Sequence, residues 1–260
     1  MDLGLKGKVV VVTGGSEGIG KAIALRYLQE GCNVAVVARR QAVLDAFYKE
    51  CEGMGYGANT LTYSADVTDT AAMAAFCDAL VARFGKLDIW VNNAGKSLRK
   101  PLMEVSDEEW SQCQLMNLGS VFSCCKLAAS LMKKNGGGVI VNGSAFSGAF
   151  PTAGIGAYGV AKSGLNCLTR LLAAELAPDN IRVVAYAPGL IETPLTTSRI
   201  EQNRAYLEEQ AAVKRLGTPE DIAPSVVFLS SDLASYITGT NIEISGGKFC
   251  VQNPMYAWKK

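Results

Sequence analysis

Tyr158 and Lys162, in Tyr158-Gly159-Val160-Ala161-Lys162, stand four residues apart and share one face of any helix that carries them. A free phenol has a pKa near about 10 and is a poor proton shuttle at neutral pH. A neighbouring ammonium favours the phenolate, so Lys162 is expected to pull the Tyr158 value down. Such a tyrosine gives a proton to a carbonyl oxygen or takes one from an alcohol. The chain contains no histidine. Imidazole-based triads and imidazole zinc sites are therefore excluded, and acid–base work falls to Tyr, Lys, Asp, Glu or Cys.

A second constellation suits phosphate. An apolar run at residues 8–12 leads into Thr13-Gly14-Gly15-Ser16-Glu17-Gly18-Ile19-Gly20, and a helical pattern follows. A glycine-rich turn between a first strand and a helix lets backbone N–H groups approach a pyrophosphate, whose charge the helix dipole favours. The spacing here is G-x-x-x-G-x-G rather than G-x-G-x-x-G. The next apolar run ends in Arg39-Arg40, where an acid would hold the ribose 2′-hydroxyl of NAD. Two guanidinium groups grip a 2′-phosphate instead, so NADP(H) is expected over NAD(H).

These pieces occur with others that together resemble the short-chain dehydrogenase/reductase family, in its classical subgroup. The matching residues are Thr13–Gly20, Asp66-Val67, Asn92-Asn93-Ala94-Gly95, Asn117, Ser144, Tyr158-x-x-x-Lys162, Pro188-Gly189 and Ile191-x-Thr193, in the family's order and over nearly the whole chain. The resemblance implies that Tyr158 is the general acid/base, that Lys162 lowers its pKa and holds the nicotinamide ribose, and that Ser144 bonds the substrate oxygen. Asn117 would kink its helix and anchor a water in the proton relay. For the cofactor it implies Gly14, Ser16, Glu17, Gly18, Ile19 and Gly20 in the turn, Arg39 and Arg40 at the ribose, and Asp66 and Val67 at the adenine. Asn93, Ala94 and Gly95 would lie beside the fourth strand, and Pro188, Gly189, Ile191 and Thr193 at the nicotinamide. Asn92 reads as structural. Two departures are visible. Ser144 and Tyr158 are fourteen positions apart, one more than the family's commonest spacing, and Glu17 stands where many NADP-preferring relatives carry a basic residue.

The elements that must position these groups follow from apolar patterning. Strands are expected at Lys8–Val12, Asn33–Ala38, Ala58–Ser64, Leu87–Val91, Gly138–Asn142, Ile181–Tyr186 and Asn241–Ile244, and helices near 18–30, 41–53, 69–84, 107–134, 156–177 and 219–231. Strand–helix alternation with continuous apolar strands predicts an α/β fold: one Rossmann-like, doubly wound, seven-stranded parallel sheet with helices on both faces, formed by residues 1–260 as a single domain. Ser106-Asp107-Glu108-Glu109 is a capping box, and Thr218-Pro219 opens a helix. Residues 190–216 are polar and weakly periodic and read as a mobile, partly helical flap.

Substrate groups are expected above the strand C-termini, around Ser144, Phe146, Phe150, Tyr158, Tyr186 and Leu195, with Ser97, Leu98 and Leu190 nearby. This largely apolar lining suits a hydrophobic alcohol or ketone. Lys96, Arg99 and Lys100 form a small basic cluster that either receives an anionic group or is a solvated loop. The tail at 248–260 carries apolar side chains at 253–258, expected to pack on a neighbouring subunit.

Composition narrows the rest. The 260 residues are 49% hydrophobic and 19% charged, which excludes a disordered chain, and the net charge of +1 leaves no global field for nucleic acid or an anionic membrane. No uncharged apolar stretch of about 18 residues occurs, so no membrane span is expected, nor is a leader. The eight cysteines form no C-x-x-C pair and read as reduced and buried, in a cytoplasmic setting. The resulting expectation is an NADP(H)-dependent oxidoreductase acting on a bulky hydrophobic alcohol or ketone, on analogy with the family a hydroxysteroid, as a homotetramer or homodimer. The alternatives are a 3-oxoacyl-[acyl-carrier-protein] reductase and a non-catalytic cofactor-binding regulator.

Overall fold

A computed structural model describes residues 2–248 and 250–258; Phe249, Lys259 and Lys260, part of the expected tail, lie outside the described residues. The strands are β1 (Val9–Thr13), β2 (Asn33–Ala38), β3 (Thr60–Ser64), β4 (Ile89–Asn92), β5 (Gly138–Gly143), β6 (Ile181–Pro188) and β7 (Asn241–Ile244). They form one parallel sheet in the order β3-β2-β1-β4-β5-β6-β7. The helices are α1 (Gly18–Gln29), α2 (Gln41–Gly53), α3 (Thr70–Phe84), α4 (Asp107–Gln114), α5 (Ser120–Lys134), α6 (Gly156–Glu175), α7 (Thr197–Glu209) and α8 (Pro219–Ser230).

The continuous apolar strands are explained by burial on both faces. Along β1, Val10 and Val12 join one core layer with Ile23, Tyr27, Leu44 and Val226, while Val9 and Val11 join the other with Phe76, Leu80, Trp90 and Val121. The strand order reverses direction between β1 and β4, and such a reversal leaves a crevice at the sheet's C-terminal edge.

Local signals set the helix ends. Ser106 and Glu109 complete their capping box, and Asp69 caps α3 by accepting from the N–H groups of Ala71 and Ala72. The helix expected over 107–134 is interrupted by a π-turn at Leu115–Gly119. By length and composition, Asp107–Lys134 is apolar enough to cross a bilayer. It is instead a packed helix, whose inner side (Val121, Cys124, Cys125, Ala128, Met132) is buried against the sheet.

Several expectations need correction. Strand β4 begins two residues later than predicted, and Gly57–Asn59 form a 3-10 turn ahead of β3. Two cysteines, Cys167 and Cys250, are exposed rather than buried, and all eight are free thiols. Cys167 lies on the outer side of α6, where helical periodicity turns an otherwise apolar segment toward solvent. The segment 190–216 is partly helical as expected: it contains α7, kinked at Asn203, and a small apolar cluster of Ile200, Leu207 and Leu216 with Leu190. Within the chain, the Trp258 indole N–H donates to the Ala212 carbonyl at 2.9 Å and the Lys214 ammonium lies 5.4 Å from its ring centroid, while Val251, Tyr256 and Trp258 keep more than half their surface exposed.

Candidate active site

A cleft of about 470 Å³ runs along the C-terminal edge of the sheet. At one end lies the glycine turn. Gly14 and Gly18 adopt φ of +63° and +52°, the left-handed region that glycine enters without a Cβ penalty. The turn packs so tightly that a Cβ on Gly20 would lie 2.2 Å from the Gly14 carbonyl oxygen. Asn93 secures it from the end of β4: its side-chain amide donates to the Thr13 and Gly14 carbonyls at 3.1 and 3.2 Å. The Asn93 amide is thus spent on the turn, and the residue lines the cleft chiefly as a brace. Asn92 lies beneath the cleft in a buried polar pair, its amide donating to Asn142 Oδ1 at 2.9 Å.

Beyond the turn, the end of the cleft beside β2 is charged and internally paired. Arg40 meets Glu17 across the mouth of the turn, and Arg39 Nη1 lies 3.8 Å from Asp66 Oδ2. Both arginine side chains are about two-thirds exposed, at 65% and 67%, so these pairs hold little energy and can exchange for another anion. Partial burial pushes the Asp66 carboxyl up, but the Thr68 N–H and hydroxyl and the Arg39 guanidinium outweigh it and hold it below the ordinary range.

At the other end, Lys162 is only 3% exposed and its ammonium donates to the Gly143 carbonyl at 2.7 Å. That ammonium lies 5.6 Å from the Tyr158 ring centroid. The sequence-based expectation for the tyrosine fails here. Burial pushes the phenol up to about 12 rather than down, with Cys113 adding to the rise, and burial drives Lys162 down to about 8. Burial, not the ammonium, sets the direction for Tyr158. Asn117 sits in the π-turn, where its amide donates to the Lys96 and Cys113 carbonyls and its Oδ1 accepts from the Lys96 N–H. This ties the kinked helix to the loop leaving β4. Gly95 must be small there, since a Cβ would lie 2.9 Å from Asn117 Oδ1.

The structure brings together most of the predicted residues. Gly14, Ser16, Glu17, Gly18, Ile19, Gly20, Arg39, Arg40, Asp66, Val67, Asn93, Ala94, Gly95, Ser144, Tyr158, Lys162, Pro188, Thr193 and Leu195 all line the cleft. Gly189 and Ile191 do not: a Cβ on Gly189 would strike Ser245, and Ile191 is buried in a bridge to Gly217. Phe146 and Phe150 also fall outside the lining. Tyr186 also lines the cleft, at its floor, where it is almost fully buried and its hydroxyl donates to Asn93 Oδ1 at 3.0 Å.

Sequence reasoning misses Asn166 and Asn241. The Ser144 hydroxyl donates to Asn166 Oδ1 at 2.6 Å, and the Asn241 amide donates to the same oxygen at 3.1 Å. Asn166 lies four residues beyond Lys162 on α6, the same spacing that links Tyr158 to Lys162, so its face is readable although its partner is not. It holds the Ser144 proton as the structure stands, so the hydroxyl accepts from an alcohol in place and turns from Asn166 to donate to a ketone oxygen. Replacing Asn166 with Leu is expected to lower kcat/KM about tenfold through loss of one positioned hydrogen bond, with dinucleotide affinity unchanged. Asn166→Asp restores the acceptor and should recover much of the loss in steady-state assays.

The family described as Enoyl-(Acyl carrier protein) reductase matches residues 14–248. The chain is similar to a 3-oxoacyl-[acyl-carrier-protein] reductase of Thermotoga maritima, 37% identical over 243 residues, covering 94% of this chain and 98% of the relative. It is also similar to a 3alpha-hydroxysteroid dehydrogenase of Mediterraneibacter gnavus, 36% identical, covering 93% of this chain and 97% of the relative. A third relative, 3beta-hydroxysteroid dehydrogenase 1 of Eggerthella lenta, is 38% identical and covers 94% of each chain. Among solved structures, a short-chain type dehydrogenase/reductase from Mycobacterium marinum superposes with a TM-score of 0.90 at 34% identity, covering 95% of this chain and 97% of that one.

Proposed function

The chain belongs to the classical short-chain dehydrogenase/reductase family, and on that premise we propose that it interconverts a secondary alcohol and a ketone on a bulky hydrophobic substrate, with NADP(H) as its dinucleotide. The observation that carries this reading is the convergence of Tyr158, Lys162 and Ser144 on the cleft that the glycine turn opens. The residues fit a dinucleotide: the turn leaves no room for a Cβ at Gly20, and two exposed guanidinium groups stand at the far side of the crevice. Bound there, the nicotinamide supplies the hydride chemistry.

The chain's own residues place the substrate and move the proton. Tyr158 donates to the ketone oxygen in reduction and accepts from the alcohol in oxidation. Ser144, steadied by Asn166, bonds that oxygen. Lys162, anchored on Gly143, holds the ribose beside the tyrosine. A hydroxysteroid-type substrate is supported by the apolar Leu195 and Pro194 at the cleft and by what two of the relatives act on. A 3-oxoacyl thioester is the second reading, favoured by the Thermotoga relative and by Lys96 on the cleft wall. Exposed Leu115, Phe122, Val160 and Leu171 on the π-turn, α5 and α6 support a homo-oligomer, dimer or tetramer, and the free thiols support a reducing cytoplasm. Parallel assays of steroids, sugars, acyl thioesters and simple ketones with NADPH and NADH test the reading. Turnover of a hydrophobic ketone with NADPH is expected, and inertness toward every class with both dinucleotides overturns it.

Cofactor choice depends on Glu17. Its carboxylate holds Arg40 and competes with a 2′-phosphate for the same guanidinium. Glu17→Gln is expected to raise the NADPH-to-NADH ratio of kcat/KM by roughly tenfold, the scale of one freed charge-assisted contact. A ratio that stays level or moves toward NADH would show that Arg40 does not face the phosphate.

A further inference from the structure

Besides Tyr158, a second phenol lies on the cleft, Tyr186, and the proton chemistry above makes no use of it. Its backbone and its side chain serve two different parts of the site. Tyr186 stands opposite Gly143 in the pairing of β5 with β6, and its carbonyl accepts from the Ser144 N–H at 2.8 Å. Its ring passes over Gly143, where a Cβ would lie 3.0 Å from the Tyr186 hydroxyl oxygen. Glycine there leaves the phenol room to reach β4. At the end of that strand the hydroxyl donates to Asn93 Oδ1 at 3.0 Å.

Chemistry fixes the direction of each of these bonds. Asn93 Nδ2 lies against two acceptors, the Thr13 and Gly14 carbonyls, at 3.1 and 3.2 Å, so the amide nitrogen faces the turn and the oxygen faces away from it. An amide oxygen can only accept, and among the described residues the Tyr186 hydroxyl is the donor that meets it. Burial pushes the Tyr186 phenol above its ordinary range and Tyr158 adds to the rise, so its proton stays in place across the neutral range. The amide nitrogen itself packs on the turn: a Cβ on Gly14 or Gly20 would lie 3.2 or 2.5 Å from it. Asn93 therefore cannot shift without moving the glycines that it braces.

We propose that Tyr186 is a positioning residue for the dinucleotide: its hydroxyl holds the Asn93 amide in the orientation that braces the phosphate turn, while its carbonyl ties the same residue to the strand that carries Ser144. This role rests on the dinucleotide part of the proposed function and adds to it a link between the two ends of the cleft. The two contributions separate within one side chain. The carbonyl survives any substitution and keeps Ser144 in place, whereas the hydroxyl acts on the turn alone. Without it, Asn93 Oδ1 loses its donor, the brace on Gly14 loosens, and the N–H groups of the turn meet a pyrophosphate in poorer alignment. A 2′-phosphate is not affected, because Arg39 and Arg40 stand beyond β2 and are held by Asp66 and Glu17 rather than by Asn93.

Tyr186→Phe removes the hydroxyl and keeps the ring, the carbonyl and the strand pairing. The NADPH dissociation constant, read by fluorescence titration, is expected to rise about tenfold, the scale of an acceptor left without its donor. Adenosine 2′-monophosphate, which carries no pyrophosphate, is expected to compete for the site with a constant within about twofold of wild type, as an independent site would. A general loosening of the fold would weaken both ligands. A double-mutant cycle gives a second reading: in an Asn93→Ala background, Tyr186→Phe is expected to change NADPH binding by less than about twofold, because the phenol has no amide left to hold. Where the wild type prefers NADH, that dinucleotide and adenosine replace the two ligands, since the pyrophosphate is the same. Unchanged dinucleotide binding in Tyr186→Phe, equal losses for both ligands, or full additivity with Asn93→Ala overturns the role of the phenol and leaves the oxidoreductase reading standing. A wild-type protein that binds neither dinucleotide overturns that reading, and the role with it.

Discussion

Replacing Tyr158 with Phe is expected to lower kcat by about a thousandfold or more while leaving the dinucleotide dissociation constant within about threefold of wild type. The substitution removes one oxygen and keeps the ring. The Lys162 ammonium holds its place through the Gly143 carbonyl and not through the phenol, so the ribose end of the site stays assembled. What disappears is the group placed to give or take the substrate proton, and general acid–base catalysis alone contributes about 10²–10⁴ in rate. Stopped assays for turnover and fluorescence titration with NADPH read the two quantities separately. Near-wild-type turnover would remove Tyr158 from its assigned role, and joint loss of turnover and binding would make it a structural residue.

The same tyrosine gives a pH profile whose sign follows from burial. With the phenol held near 12, it is protonated across the neutral range and ready to donate, which suits ketone reduction. Alcohol oxidation needs the phenolate, whose fraction grows tenfold per pH unit below that value. Lys162, held near 8, loses its charge in the same window and weakens the opposing support. Reduction is therefore expected to stay level to about pH 8 and then decline, while oxidation climbs through the alkaline range. A profile in which oxidation is already level at pH 7 would mean that the phenol is acidic in the working complex.

This contrast shows what a sequence holds locally and what it does not. The helical spacing of Tyr158 and Lys162 is a property of five consecutive residues, so the amino-acid order alone displays the pair. It also displays the strands, whose double-sided burial writes an unbroken apolar run, and the turn from β1 into α1. The phenol's proton affinity is hidden, because the depth of the site depends on the distant loops and helices that close over it. Arg40 looks available in the sequence because its partner Glu17 stands on a different element, joined to it only when β1 and β2 pair side by side. Asn241 has no visible link to Ser144, since β6 must lie between β5 and β7 before both reach Asn166. Gly189 and Ile191 belong to the family pattern, yet the structure turns them into the packing beneath the cleft.

Gly20→Ala is expected to abolish measurable dinucleotide binding, a loss of at least about a hundredfold, although alanine is the better helix former by about 1 kcal/mol. The reason is steric and lies outside the helix. The new methyl would stand 2.2 Å from the Gly14 carbonyl oxygen and 2.5 Å from the Asn93 amide nitrogen. Neither can yield cheaply. Gly14 is held by its own N–H, which donates to the Val37 carbonyl at 2.8 Å, and Asn93 donates to Thr13 and Gly14 while accepting from Tyr186. Relief therefore requires α1 to move away from the end of β1, and that movement turns the N–H groups of the turn away from a pyrophosphate. Overpacking of this kind costs about 1–3 kcal/mol in stability and sometimes more. Gly53→Ala supplies the matched comparison. Gly53 ends α2, no atom lies within 4 Å of its added Cβ, and its backbone is not in the left-handed region, so the same change there should leave binding unaltered and stability level or slightly raised. Thermal unfolding and NADPH titration of the two variants side by side decide the matter: if Gly20→Ala binds NADPH as tightly as Gly53→Ala does, the close contact of α1 with β1 does not shape the phosphate site.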